Sequence, residues 1–223
     1  MTSGERWLAA TWPFVRAHLP RAPARVMDVG CGRSGGFVPV LRSNGYDAIG
    51  IDPQAPDEPH YQRLEFERAA IPHRIDVAIA SLALHHVASP AKVIDRIVST
   101  LESGGTVVVA EWAWERFDES TSAWCFGRLG PSDDPGWLDR RRKEWLASGH
   151  DWATYMREWA QGEGLHPGDM LVRLLDERLH RQLLRRGPYF FPDLPEVSED
   201  DEQWAIDAGQ IRACRIDYVG TRP

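Results

Sequence analysis

The sequence predicts an α/β protein with a doubly wound, mostly parallel sheet and helices on both of its faces. Three observations carry this. Short, nearly continuous apolar runs ("ARVMDV", "DAIGID", "IDVAIASLAL", "TVVVAEW") alternate with segments of helical periodicity, the pattern of strands that crossover helices bury on both faces. A glycine-rich stretch, "DVGCGRSGG", directly follows the first run, at the strand-to-helix turn where open α/β sheets receive ligands. After Trp112 the β texture lapses, and residues 113–182 read as mostly helical before it returns.

Taken in order, residues 5–19 place Leu8, Trp12, Val15 and Leu19 on one helical stripe, which Pro13 interrupts. "ARVMDVGC" reads as a buried strand, and "GGFVPVLRSNG" as a helix ending at Gly45. "DAIGID" is a second strand ending at Asp52, "QRLEF" a weaker one, and residues 75–84 a strong one. Ser89 and Pro90 open a helix with an apolar stripe of Val93, Ile94, Ile97, Val98 and Leu101, which "SGG" at 103–105 closes before the strand "TVVVAEW". Within 113–182, Trp152, Tyr155, Met156 and Trp159 share a helix face, and "DMLVRLLDERL" is a second amphipathic helix. "HRQLLRRGPYFF" returns to β texture, a capping box joins Ser198 to Asp201, and "RACRIDYVG" reads as the last strand. The expected organisation is one domain over 1–223, with 113–182 a helical cap inserted after the fifth strand.

The 223 residues are 43% apolar and 26% charged, an ordinary globular composition. A formal net charge of −7 offers no general attraction for polyphosphate, so neither nucleic acid nor an anionic membrane is an expected partner. The run Arg140 to Lys143 reads as a solvated helix face. Cys31, Cys125 and Cys214 stand alone, without CxxC spacing, which favours a reducing compartment and gives no sign of a metal site. With no signal-type apolar core at residues 1–14 and no run approaching membrane-span length, a cytoplasmic location is expected. Ten tryptophans, most of them outside the glycine-rich region, are the compositional oddity.

Two motifs overlap in "MDVGCGRSGGF". From Gly32 it is GxSxG, the frame of a hydrolase's nucleophilic serine, here Ser34. That elbow ordinarily follows several strands and an oxyanion loop, whereas about 25 mostly helical residues precede this one and none form an HGGG-like stretch. From Asp28 it is DxGxGxxG, a turn that admits a nucleotide to the backbone. Asp52 follows Gly30 by 22 residues, at the end of the next strand, close to the spacing at which a carboxylate meets ribose hydroxyls. Asp28 discriminates further, because a fixed negative charge there repels a pyrophosphate and suits a ligand whose tail carries an ammonium group.

These stretches, with "AIGIDP", "IDVAIASLALHHV" and "TLESGGTVVVAEW", resemble the class I S-adenosylmethionine-dependent methyltransferases over about residues 24–114. The resemblance implies a Rossmann-like, seven-stranded sheet whose last inserted strand is antiparallel, and S-adenosylmethionine as cofactor. It implies that Asp28 orders the methionine end, that Gly30, Cys31 and Gly32 line the cofactor with backbone, that Asp52 binds the ribose and that Pro53 lies against the adenine. Ser81 and Leu82 would face the methionine portion. The pattern departs from the family where Ser34 replaces the third glycine, with Gly35 and Gly36 following, and where only Glu65 or Glu67 stands near the adenine acid's place.

Methyl transfer from a sulfonium asks the protein chiefly to position the acceptor and exclude water. His85 and His86 follow the fourth strand and are candidate bases toward a small-molecule acceptor. Glu111, at the end of the fifth strand, is a candidate to orient a histidine, contact substrate or form a structural ion pair. Trp112, Trp114 and Tyr155 are candidate acceptor-pocket residues. The expected activity is O- or N-methylation. The alternatives are a cofactor-binding module without methyl transfer and, more remotely, a serine hydrolase.

Overall fold

The computed structural model describes residues 1–71, 74–130 and 136–223. A seven-stranded sheet has the order β3-β2-β1-β4-β5-β7-β6. Its strands are β1 (Arg25–Val29), β2 (Asp47–Ile51), β3 (Tyr61–Gln62), β4 (Ile75–Ser81), β5 (Leu101–Trp112), β6 (His180–Gly187) and β7 (Arg215–Thr221). Strands β1 to β5 pair in parallel, while β7 runs antiparallel to both β5 and β6. The chain order therefore reverses between β1 and β4, which opens a crevice at the carboxyl ends of these two strands.

Alternation along the strands divides the core in two. Met27, Val29, Ala78, Ala80, Val107 and Val109 face α3 (Pro90–Thr100) and α7 (Gly168–Asp176). Val26, Val77, Ile79, Val108 and Ala110 face α1 (Ser3–Ala17) and α2 (Val38–Ser43). A third cluster joins Trp112 and the loop near Phe190 to α4 (Glu119–Phe126), α5 (Trp137–Ser148), α6 (Trp152–Gly162) and α8 (Glu199–Asp207). Among the described residues no helix is long and apolar enough to cross a membrane.

Five expectations shift. The buried face of α1 is Trp7, Thr11, Phe14 and Val15, with Leu8 and Trp12 only half-buried. The helix is rotated by about one residue because the Trp7 indole turns inward to donate to Ser81 Oγ at 2.9 Å. Pro13 does not break α1: it lies on the exposed side, and a Thr2–Glu5 capping box secures the helix start. The helix expected from Gly35 begins only at Val38, since the preceding residues form the tight turns of the glycine motif. The cap is shorter than 113–182: Leu171, Val172 and Leu175 of α7 bury against the sheet core, so α7 is a sheet-covering helix, and residues 131–135 lie outside the described residues. The "SGG" expected to end a helix lies inside β5, whose pairing with β4 shifts register there. The Ser198 capping box and the final strand form as expected.

Candidate cofactor and acceptor site

The turn after β1 is held by backbone. Gly30 (φ 79°) donates its N–H to the Ile51 carbonyl at 2.8 Å, and a Cβ there would overlap the Ala83 side chain. Asp28 lies beneath the turn, 1% exposed, and its Oδ2 accepts the Phe37 N–H at 2.7 Å. Burial pushes its carboxyl up from 3.8 to about 7, Asp52 adds to the rise, and the Phe37 N–H opposes it. Gly36 (φ 56°) fills the role of the missing third glycine, because a Cβ there would strike the Asp28 carboxylate and the Cys31 backbone. Cys31 is buried, and its thiol is pushed up by burial and then by the charges of Asp28 and Asp52, which holds it as an inert thiol.

Three cavities meet along this edge. The largest of them, 460 Å³, is bounded by Asp52, Pro53, Phe66, Leu82 and His86, with Glu65 and Glu67 at its wall. Asp52 Oδ1 also accepts the Gln54 N–H at 2.6 Å, which orders the turn after β2. The second, 120 Å³, lies over Asp28 between Trp7, Cys31, Gly36 and Ser81. The third, 250 Å³, is walled by Trp7, Leu82, Trp137, Tyr189, Pro192 and Asp193. Gly30 joins the first two, and Gly4 and Trp7 join the second to the third. Leu82 is left-handed (φ 52°), a strained backbone for a leucine, at the point where the first and third cavities share a wall. A surface groove of 740 Å³ near Trp124, Arg128 and Trp204 shares no lining residue with these three.

The expected catalytic group is arranged differently from a row of cavity residues. Glu111 is 1% exposed; its Oε1 accepts the N–H groups of Ala83 (2.7 Å) and Leu84 (2.6 Å), and its Oε2 lies 2.5 Å from His85 Nδ1. Both carboxylate oxygens thus hold the turn after β4. His85 is buried and lines none of the three cavities, while His86, its ring 4.1 Å away, opens onto the 460 Å³ cavity. Burial, then the neighbouring His85, pushes His86 down to about 4, so it is neutral at neutral pH.

Of the expected acceptor residues, Trp112 is buried and stacks on Tyr189 at 5.3 Å, one ring behind the 250 Å³ cavity. Trp114 is half-buried and outside the cavities. Tyr155 lies away from them, inside the cap, with its hydroxyl 3.2 Å from Glu144 Oε2. The stripe it shares with Trp152 and Met156 closes the cap's own core, where Trp152 donates to the Phe117 carbonyl at 2.6 Å. Ser34 lines the 120 Å³ cavity beside no histidine among the described residues, and His166 Nε2 contacts the Val87 carbonyl at 2.8 Å. Gly4, Trp7, Trp137, Tyr189 and Asp193 were not singled out by any motif. The tryptophan excess marks Trp7 and Trp137, and "RRGPYFFPDLP", which holds Tyr189 and Asp193, reads from sequence as either a substrate-side loop or a packed connection.

A family model described as a methyltransferase domain matches residues 6–192. The chain belongs to this methyltransferase family. Its sheet and relatives make it a class I S-adenosylmethionine-dependent enzyme. A ubiquinone biosynthesis O-methyltransferase of Methylococcus capsulatus is 27% identical over 172 residues, covering 68% of this chain and 67% of that protein. Among solved structures, an S-adenosylmethionine-dependent methyltransferase from Mesorhizobium loti superposes with a TM-score of 0.55 at 21% identity, covering 96% of this chain and 98% of that one. A geranyl diphosphate C-methyltransferase from Streptomyces coelicolor A3(2), solved with S-adenosyl-L-homocysteine, gives 0.58 at 15% identity, covering 98% and 80%.

The residues of the methyltransferase fit its cofactor, S-adenosylmethionine. The buried Asp28 carboxyl has no cationic side chain bonded to it among the described residues and suits an ammonium group. The Gly30 and Gly36 backbone passes where any side chain would collide, and the larger cavity is of small-ligand size.

Proposed function

We propose that this enzyme transfers a methyl group from S-adenosylmethionine to an oxygen or nitrogen of a small-molecule acceptor in the cytoplasm, and that nucleic acid is not its substrate. The observation that carries the reading is the junction of cavities at Gly4, Trp7 and Leu82, which joins an aromatic-walled chamber to the space over Asp28. Its aromatic walls position an acceptor beside the cofactor space, and its volume of 250 Å³ admits a compound of limited size. The net charge of −7 disfavours a polyphosphate acceptor.

In this reading Asp28 holds the amino-acid end of the cofactor, Gly30, Cys31 and Gly32 pass beneath it, Asp52 takes the ribose hydroxyls, and Pro53 with Phe66 flanks the adenine. Ser81 and Leu82 face the methionine portion. His86 bounds the adenosine half of the site. His85 and Glu111 are positioning residues that fix the turn carrying Leu82 and Ala83. Trp112 backs Tyr189, while Trp114 and Tyr155 serve the cap.

The first test is a calorimetric titration of S-adenosylmethionine and S-adenosylhomocysteine into the wild type and Asp52→Ala. Micromolar or tighter binding, weakened in the variant by about 1.5 to 3 kcal/mol, is expected if the carboxylate accepts ribose hydrogen bonds. Absence of binding to the folded wild type sinks the reading. Binding without cofactor consumption across a broad acceptor panel selects a cofactor-binding module in its place.

A further inference from the structure

The 250 Å³ chamber has a distinct chemistry. Three aromatic side chains, Trp7, Trp137 and Tyr189, wall it together with Leu82 and Pro192. Its one ionisable carboxylate is Asp193, at the end of the 3₁₀ turn Phe191–Asp193, whose Oδ2 accepts the Trp137 indole N–H at 2.8 Å. No lysine or arginine lines the chamber among the described residues. The nearby Arg6 guanidinium is occupied, donating to the carbonyls of Pro192 (3.1 Å), Leu194 (3.0 Å) and Val197 (2.7 Å).

We propose that this chamber takes a non-anionic acceptor about one substituted ring in size, and that Asp193 recognises it by accepting a hydrogen bond from its hydroxyl or amine. The inference rests on the methyltransferase reading and deepens it. The size follows from the volume, since a cavity of about 150 Å³ holds a benzene ring and this one is larger. The ring preference follows from three aromatic walls. The charge rule follows from the carboxylate: an anionic acceptor would meet Asp193 directly, with the nearby Arg6 guanidinium bonded to the carbonyls of Pro192, Leu194 and Val197 and not lining the chamber, whereas a neutral O–H or N–H donor is bound there. Burial raises the Asp193 carboxyl, while the hydrogen bonds from Trp137 and Ser3 and the charge of Arg6 oppose the rise. The carboxylate is thus held against the aromatic wall, where a ligand donor is a better partner than an empty apolar space. A carboxylate bonded to a fixed indole also gives the acceptor a defined orientation.

The test is a tryptophan-fluorescence titration of the protein, saturated with S-adenosylhomocysteine, using p-cresol and 4-hydroxybenzoate as the neutral and anionic probes. Wild type is expected to bind p-cresol at least about tenfold more tightly than 4-hydroxybenzoate, from like-charge repulsion in a desolvated site. Asp193→Asn, which can still accept the Trp137 N–H, is expected to reduce that preference about fivefold or more. Gly4→Phe tests the location independently: a Cβ at Gly4 meets nothing within 4 Å, so the ring can enter the mouth of the chamber, and p-cresol binding is expected to be lost at a near-native melting temperature. Equal or tighter binding of 4-hydroxybenzoate, no binding of p-cresol, or indifference of p-cresol to both variants overturns the proposal. Failure of S-adenosylhomocysteine to bind overturns the underlying methyltransferase reading as well.

Discussion

Replacing Asp28 by asparagine tests whether the carboxyl beneath the glycine turn is maintained for a ligand at the expense of the fold. Its ionisation is raised from 3.8 to about 7, chiefly by burial. An unfolded chain loses that proton near the ordinary value, but the folded chain keeps it until about 7, so the folded state binds more protons in between. The stability associated with protonated Asp28 is therefore full below about pH 4 and is lost as pH rises through about 7. Between pH 5 and pH 8 the ligand-free wild type should lose about 3 kcal/mol on this account, at about 1.4 kcal/mol per unit. Asparagine presents no charge at any pH and can still accept the Phe37 N–H. The melting temperature of Asp28→Asn should therefore exceed that of wild type by roughly 5–10 °C more at pH 8 than at pH 5. Scanning calorimetry of both ligand-free proteins across this range reads the difference. Saturating S-adenosylhomocysteine should narrow it, since the ligand's ammonium favours the ionised carboxylate that asparagine cannot supply. A gap between the two melts that stays constant with pH would refute the argument.

Two further outcomes follow from the same edge of the sheet. Gly30→Ala forces a left-handed alanine against Ala83 and should cost at least about 2 kcal/mol in urea unfolding along with cofactor binding; a variant of native stability that still binds would contradict this. Arg215, 3% exposed, lies 4.8 Å from the Trp7 ring and 2.6 Å from Asp217 Oδ1. Because Arg185 still pairs with Asp217, Arg215→Met should cost about 2 kcal/mol and weaken S-adenosylhomocysteine binding through a loosened Trp7. Unchanged values of both would separate Trp7 from the cofactor.

What the sequence disclosed was local. Asp28, Gly30 and Asp52 fall on one turn and the two strands beside it, so their spacing along the chain nearly determines their spacing in space. The central parallel strands β1, β2, β4 and β5 were legible as apolar runs, whereas the weak strand expected at "QRLEF" is only the half-buried pair Tyr61–Gln62, with Phe66 in a 3₁₀ turn. The helix faces were harder. Trp7, Leu8, Thr11 and Trp12 offer two adjacent stripes in α1, and contacts distant in sequence, from Trp7 to Ser81, Tyr189 and Arg215, select the one that turns inward. Periodicity marked the Tyr155 face as buried but carried no information about whether the cap or the acceptor lay against it. Both histidines after the fourth strand were candidate bases, His85 the first of them, yet Glu111 draws His85 under the turn and leaves His86 at the cavity. Asp193, Trp137 and Tyr189 belong to no motif, because a chamber assembled from separate segments of the chain leaves no fixed spacing behind.

The Arg6 bonds to Pro192, Leu194 and Val197 span sequence separations of 186, 188 and 191 residues. They have a kinetic meaning as well as a geometric one. Contacts of such range close very long loops and form only after more local structure has reduced the search. The sheet, its glycine turn and the α1 face that packs on it can therefore mature before Arg6 ties the start of α1 to the loop at 192–197. During that interval the cavity over Asp28, which Gly4 and Trp7 line, is not yet fixed on that side. Full ligand affinity should consequently appear later in refolding than the native far-ultraviolet signal, making cofactor capture a clock for the last step of assembly.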